Sequence, residues 1–279
     1  MMKPGPVQPA KAPADTQSFG INYPQAANPR KPGRALVTGA STGIGWETVK
    51  QLTEAGWKVL ATARREDRLA ALAYETGCEA FAADLSEPTH VEALREWALA
   101  DGGKVDAVVN NAGGALGMDS VLDADPERWQ TMYDVNVLGA LRVTKAFLPA
   151  MLANGGGDVL FVTSIAGHGT YPGGAGYTAA KHAEVMLPET LRLELVGKPV
   201  RIIEIAPGLV QTPEFSLNRL GDKSKAEAVY EGVDHPLIGA DIARAIVWAL
   251  SVPPHMNIDS MTIKPVEQAS STLKKRLEH

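Results

Sequence analysis

The sequence predicts an α/β protein, a single domain built on a doubly wound parallel sheet of about seven strands. Three observations point there. Short apolar runs alternate with helix-length amphipathic segments from Arg34 to Lys264. Several runs, such as Val105–Val109 and Val200–Ile205, are apolar at nearly every position, as in strands buried on both faces. A glycine-rich turn directly follows the first run. With right-handed crossovers, such a chain places helices on both faces of one sheet.

Arg34–Thr38 (RALVT) is the first strand, Gly39–Gly45 (GASTGIG) the turn, and Trp46–Ala55 a helix that stops at Gly56. Trp57–Thr62 is the second strand, Glu66–Tyr74 an Ala- and Leu-rich helix, Glu79–Ala83 the third strand and Pro88–Ala100 the third helix. Val105–Val109 follows as the fourth strand, then Asn110-Asn111-Ala112-Gly113, then a long helix over Pro126–Ala153. Asp158–Thr163 is the fifth strand. A helix carrying Tyr177 and Lys181 runs to Val196, although Pro188 is expected to kink or break it. Val200–Ile205, Ala240–Leu250 and Asp259–Lys264 complete the pattern as strand, helix and strand.

Residues 1–33 are rich in proline and alanine and lack an apolar period, so they read as a disordered or extended tail. The tail also lacks the apolar core of a secretory signal. Residues 34–276 form the domain, and Leu277-Glu278-His279 reads as the remnant of an expression tag. A net charge of −5 argues against nucleic acid or an anionic membrane as the main partner. One cysteine, Cys78, allows no internal disulfide. No apolar run approaches the roughly 18 residues of a spanning helix, and a cytoplasmic location is expected.

Gly39, Gly43 and Gly45 stand between the first strand and the first helix, where backbone can approach a ligand and helix amides face a pyrophosphate. The spacing is G-x-x-x-G-x-G. The same residues also read as G-x-S-x-G, a nucleophile elbow around Ser41, with His255 as a distant base. That hydrolase reading places the elbow after the first strand instead of a later one. It also leaves Ser164, Tyr177 and Lys181 without a role. Tyr177 and Lys181 stand four residues apart, on one face of a helix. A neighbouring ammonium favours a phenolate, and a serine hydroxyl opposite can bond a carbonyl oxygen. Taken alone, this spacing is also a common surface pair.

The motifs taken together resemble the short-chain dehydrogenase/reductase family over Arg34–Val266. They are Thr38–Gly45, Asp84-Leu85, Asn110–Gly113, Asn136, Ser164, Tyr177-x-x-x-Lys181 and Pro207–Thr212. The resemblance implies a Rossmann-type fold with Tyr177 as general acid in carbonyl reduction and base in alcohol oxidation. Lys181 would lower the phenol's pKa and hold the nicotinamide ribose. Ser164 would orient the substrate oxygen, and Asn136 would hold a water linking Lys181 to solvent. Gly39, Ser41, Gly43, Ile44 and Gly45 would surround the phosphates, and Asp84 and Leu85 would meet the adenine. Asn110, Ala112 and Gly113 would line the strand end, and Pro207, Gly208, Val210 and Thr212 the nicotinamide. Asp84 also reads as a helix cap.

The second strand ends Ala61-Thr62-Ala63-Arg64-Arg65, with no acid where an NAD site places one on the ribose. Arg64 and Arg65 suit a 2′-phosphate, so NADP is the expected cofactor. Gly208–Tyr230 and Val252–Gln268 are similar to the NADP-dependent 3-hydroxy acid dehydrogenases, which implies a small hydroxy acid or semialdehyde as substrate and a homotetramer. Arg219 is the expected cation for the carboxylate, with His168 and Tyr171 shaping the pocket; no metal is expected, since His168 has no partner at ligand spacing. A reductase of bulkier ketones or aldehydes is the alternative. A dinucleotide sensor without turnover is another, disfavoured by the intact Asn136, Ser164, Tyr177 and Lys181.

Overall fold

In the computed structural model, residues 28–277 are described. The strands are β1 (Arg34–Thr38), β2 (Lys58–Ala63), β3 (Glu79–Ala82), β4 (Ala107–Asn110), β5 (Gly157–Val162), β6 (Val200–Pro207), β7 (Val210–Gln211), β8 (Leu237–Ile238) and β9 (Ser260–Ile263). The helices are α1 (Gly43–Glu54), α2 (Glu66–Thr76), α3 (Pro88–Leu99), α4 (Pro126–Tyr133), α5 (Gly139–Ala153), α6 (Ala175–Glu194), α7 (Phe215–Leu220), α8 (Lys223–Ala228) and α9 (Gly239–Ser251). Among the described residues the main sheet is seven-stranded, ordered β3-β2-β1-β4-β5-β6-β9. Every pairing in it is parallel. This is the doubly wound topology the alternation predicts, with its order reversing between β1 and β4. A ligand crevice belongs at that reversal, beyond the carboxyl ends of the strands.

Side chains alternate across the sheet, so each strand feeds two cores. Ala35, Val37, Val59 and Ala61 pack with α1, α2 and α9 around Leu52, Leu69 and Ile246. Leu36, Leu60 and Val108 pack on the opposite face with Leu94 of α3 and Val143, Phe147 and Met151 of α5. Within the helical stretch Pro126–Ala153, 18 consecutive residues reach a mean hydropathy of 1.3, long and apolar enough by composition to cross a membrane. Scattered polar residues interrupt any continuous apolar run within it. In the fold it supplies the apolar side chains that cover the sheet.

Pro149 and Pro188 lie in helix interiors. α6 runs through Pro188 without a break, against the expectation for it, and α5 runs through Pro149. Proline at 188 costs one ladder bond, to the carbonyl four residues earlier. Its ring is buried, so packing offsets that loss. Three features escaped the sequence reading. The long helix contains a π turn at Asp134–Leu138, and the segment after Thr212 folds into α7 and α8. Beside them lies the small β7–β8 pair. Of the expected tail, residues 1–27 lie outside the described residues, and within 28–33 Arg30 donates to Asp158 at 2.8 Å and to the Asp106 carbonyl at 3.0 Å.

Candidate active site

The crevice is built around the end of β1. Gly39 and Gly43 adopt φ of +65° and +57°, which only glycine takes without strain. A Cβ on Gly45 would lie 2.3 Å from the Gly39 carbonyl oxygen, so the first turn of α1 closes onto the loop only because that position is glycine. Gly43 faces Thr212 from the strand β7 side, with 3.3 Å between an added Cβ and the threonine side chain. Ile44 packs on the core cluster that α1 covers. Behind the loop, Thr38 Oγ1 accepts from the backbone amides of Asn111 (3.0 Å) and Ala112 (2.9 Å), while Asn111 Nδ2 donates to the Thr38 carbonyl (2.9 Å). Sequence reasoning had given Thr38 and Asn111 no role of their own. Both lie inside quoted motifs, and their polar character between apolar strands was the available signal.

Around this cradle the other expected cofactor residues are distributed along the strand ends. Arg65 Nη2 donates to Ser41 Oγ at 2.9 Å and pairs with Glu214 at 2.8 Å, while Arg64 is exposed beside it. Ser41 is thereby bonded to an arginine, and among the described residues no histidine hydrogen-bonds it, which removes the base a hydrolase nucleophile needs. Asp84 accepts from the Ser86 amide (3.0 Å) and hydroxyl (2.7 Å), a turn-capping role. Burial would push the Asp84 carboxyl up, but those two donors and the Arg64 charge hold it below its ordinary value. Leu85 is buried and its carbonyl accepts from Arg142. Asn110 is buried and donates to Thr144 Oγ1 at 3.1 Å. Pro207 ends β6. A Cβ on Gly208 would lie 2.4 Å from Gln268 Oε1 and 3.3 Å from the Lys264 Cα, so a side chain there would have to displace Gln268. Val210 lies in β7, and Thr212 Oγ1 accepts from the Phe215 amide.

The four expected catalytic residues converge on the far side of the crevice. Tyr177 enters on the first turn of α6 and Lys181 follows one turn later, with Nζ 5.9 Å from the Tyr177 ring centre. Ser164 caps a short turn after β5, its Oγ accepting from the Ala166 amide at 3.1 Å. Asn136 sits in the π turn, which re-aims one residue within a helix and is frequent at functional sites. Its side chain accepts from the Gly114 amide (3.2 Å) and donates to the Gly114 carbonyl (2.9 Å) and the Met132 carbonyl (2.7 Å). The side chain therefore latches the loop after β4. A Cβ on Gly113 would lie 2.6 Å from Asn136 Oδ1 and 3.5 Å from Lys181 Nζ, so the glycine leaves room for both side chains beside the loop.

Electrostatics in this cluster oppose one another. Burial pushes the Tyr177 phenol up, the Lys181 charge pulls it down, and Glu184 pushes it up again; the net direction is upward. Lys181 donates to Glu184 Oε2 at 2.5 Å and to the Val162 carbonyl at 3.3 Å. Burial would lower the lysine's pKa, but Glu184 reverses that and raises it. Glu184 was not expected from the motifs, because they stop at Lys181.

The pocket residues divide. Tyr171 and Arg219 face Tyr177: the guanidinium carbon lies 5.5 Å from the Tyr171 ring centre and 5.6 Å from that of Tyr177. Arg219 Nε donates to the Gly117 carbonyl at 3.0 Å, and its Nη2 is buried with no hydrogen-bond partner among the described residues. Phe215 stacks edge-on to Tyr177, with ring centres 5.9 Å apart. His168 turns the other way, its Nε2 2.8 Å from Glu204 Oε1.

Comparison with known proteins points to one family. The sequence matches the short chain dehydrogenase family over residues 34–220. An uncharacterized oxidoreductase of Mycobacterium tuberculosis is 52% identical over 239 residues, covering 85% of this chain and 93% of that protein. The NADP-dependent 3-hydroxy acid dehydrogenase of Shigella flexneri is 37% identical over 241 residues, covering 85% and 97%. The closed form of a serine dehydrogenase complexed with NADP+ superposes with a TM-score of 0.82 at 36% identity, covering 88% of this chain and all of that one. Matched over two thirds of its length and by relatives spanning nearly all of theirs, the chain belongs to the short-chain dehydrogenase family and is an oxidoreductase.

Proposed function

We propose that the protein interconverts a small 3-hydroxy acid and its carbonyl counterpart with NADP(H). The observation that carries the substrate class is Arg219, whose buried, unpartnered Nη2 lies in the same cluster as the Tyr177 and Tyr171 rings. A guanidinium so placed suits a carboxylate a few bonds from the reacting carbon.

The residues present fit the cofactor. The glycine cradle leaves no room for side chains where a pyrophosphate would approach, and β2 ends in arginines, with the carboxylate that reaches them, Glu214, neutralised by its pairing with Arg65. Gly39, Ser41, Gly43, Ile44 and Gly45 would hold the phosphates and Arg64 and Arg65 the 2′-phosphate. Asp84, Leu85, Asn110, Ala112 and Gly113 would line the adenosine side, with Lys181 on the ribose and Pro207, Gly208, Val210 and Thr212 at the nicotinamide. When bound, NADPH supplies a hydride. Tyr177 gives its proton to the carbonyl oxygen, Ser164 Oγ bonds the same oxygen, and the product is the alcohol. Oxidation reverses both transfers, with Tyr177 taking the hydroxyl proton.

Arg64→Asp should lower kcat/KM with NADP by about 10–100-fold, the loss of a charged hydrogen bond, and leave the NAD value nearly unchanged. Equal losses with both cofactors would remove Arg64 from the 2′-phosphate. For the substrate, an NADP-linked screen over serine, allo-threonine, 3-hydroxybutyrate, 3-hydroxypropionate and bulky neutral alcohols is decisive. Arg219→Leu should raise KM for the responding hydroxy acid by about 10–100-fold and spare a neutral alcohol. Turnover confined to neutral alcohols would sink the assignment.

A second reading, reduction of a bulkier ketone or aldehyde, draws on an open cavity of about 720 Å³ beside Arg219, lined by Leu116, Met118, Arg128, Lys225 and Val229. That volume exceeds what a three-carbon acid fills, and the same screen separates the two readings. The assembly that goes with the hydroxy acid reading is a cytoplasmic homotetramer, and light scattering of the purified protein tests its subunit number.

A further inference from the structure

Glu184 is a buried carboxyl that the chemistry described so far does not use. It lies one turn beyond Lys181 on α6 and is 1% exposed; Lys181 is 4% exposed and Tyr177 8%. Its Oε2 takes the Lys181 ammonium at 2.5 Å, and its Oε1 is buried with no hydrogen-bond partner among the described residues. Tyr177, Lys181 and Glu184 thus share one helix face at spacings of four and three, out of water. We propose that Glu184 is a positioning residue that neutralises Lys181, so that Tyr177 rests as a protonated phenol at neutral pH, the form that donates in carbonyl reduction. The inference rests on the reading of Tyr177 as general acid and base, and it adds the protonation state in which that residue rests.

The physical reason is the total charge of a buried cluster. Groups this close give up protons as a unit. With tyrosine, lysine and glutamic acid all protonated, the cluster carries one positive charge. Glu184, pushed up to about 7 by burial, is the group that gives up the first proton. That loss leaves a neutral cluster in which Tyr177 still holds its proton. The next loss, which a base needs, makes a net negative charge in a low-dielectric site and is deferred to alkaline pH. Without the Glu184 charge, the first proton lost comes from the Tyr177–Lys181 pair itself and creates the base directly. This holds wherever the remaining proton resides in that pair.

Other groups facing the cluster do not substitute for Glu184. Glu204 of β6 faces Lys181 and Glu184 from below, but it accepts from Thr163 Oγ1 at 2.6 Å and meets His168 at 2.8 Å. Arg219 from α7 and Tyr171 approach only the outer side of the Tyr177 ring.

The experiment compares wild-type enzyme with Glu184→Gln, measuring log kcat/KM for alcohol oxidation against pH. The acid limb of the variant is expected at least about one pH unit lower, with proportionally less loss in oxidation below neutrality. Phenolate absorbance gives a readout that needs no turnover or cofactor. The Tyr177 titration, taken as each protein minus its Tyr177→Phe counterpart, should move down with the limb. Glu184→Asp keeps the charge on a shorter arm and should fall between the two. If Glu184→Gln does not fold, the aspartate variant alone decides, since its limb should still lie below wild type. An unmoved or raised limb in a folded variant overturns the proposal. Tyr177→Phe separates the levels: a dead enzyme with an unmoved limb sinks this inference alone, whereas a live one sinks the role of Tyr177 as well.

Discussion

Replacing Tyr177 by phenylalanine should lower turnover by about 10²–10⁴-fold, the range that a general acid contributes, or about 3–5 kcal/mol in the barrier. The substitution removes one oxygen and leaves the ring, so edge-on packing against Phe215 at 5.9 Å should survive. Lys181 keeps Glu184 and the Val162 carbonyl, so the buried lysine retains its partners. Cofactor binding should therefore stay within about threefold of wild type, because an interaction made only in the transition state affects kcat rather than ground-state binding. Fluorescence titration with NADPH beside steady-state kinetics makes the comparison. A variant that kept wild-type turnover would show that water or another side chain supplies the proton. The sensor alternative fails by the opposite result, since a binding protein has no turnover to lose.

Much of the site was legible in the sequence because its spacing is local. Tyr177 and Lys181 are one helical turn apart, and the glycine loop lies between one strand and one helix, so short-range periodicity carries both. Arg64 and Arg65 were readable at the tip of a strand whose end was already placed. What escaped depends on contacts between distant segments, or on geometry without a strong residue preference. Glu214 meets Arg65 only because the segment after β7 folds back over β2. The π turn that holds Asn136 has no composition of its own, and α7 and α8 are too short for a periodic signal. His168 stood between two catalytic residues in sequence, yet it points to Glu204 because the turn after Ser164 reverses the chain. Pro188 was weighed by backbone rules alone, whereas burial of its ring decided the outcome.

The residue whose loss should most damage stability is Asp158, far from the chemistry. It is 0% exposed at the start of β5, directly opposite Arg201 in the β5–β6 register. Arg201 binds it through two nitrogens, at 2.7 and 2.8 Å, and Arg30 adds a third bond at 2.8 Å. The other guanidinium contacts of Arg201 are the carbonyls of Leu250, Val252 and Met256, so α9 and the chain after it end on this group. In Asp158→Ala the carbonyls remain but the counter-charge does not, leaving a buried cation beside a small cavity. Breaking such a pair from one side costs about 3–5 kcal/mol. For a chain of this size that is a fall in melting temperature on the order of 10 °C. Removing both charges tells whether the pair itself stabilises the fold. Asp158→Ala with Arg201→Met leaves only the part-exposed Arg30 without its carboxylate and should melt above the single variant, because the desolvation of Arg201 is then not incurred. If the double variant melts lower still, the carbonyl bonds of Arg201 outweigh its charge, and β6 and α9 are held together by hydrogen bonding more than by the ion pair.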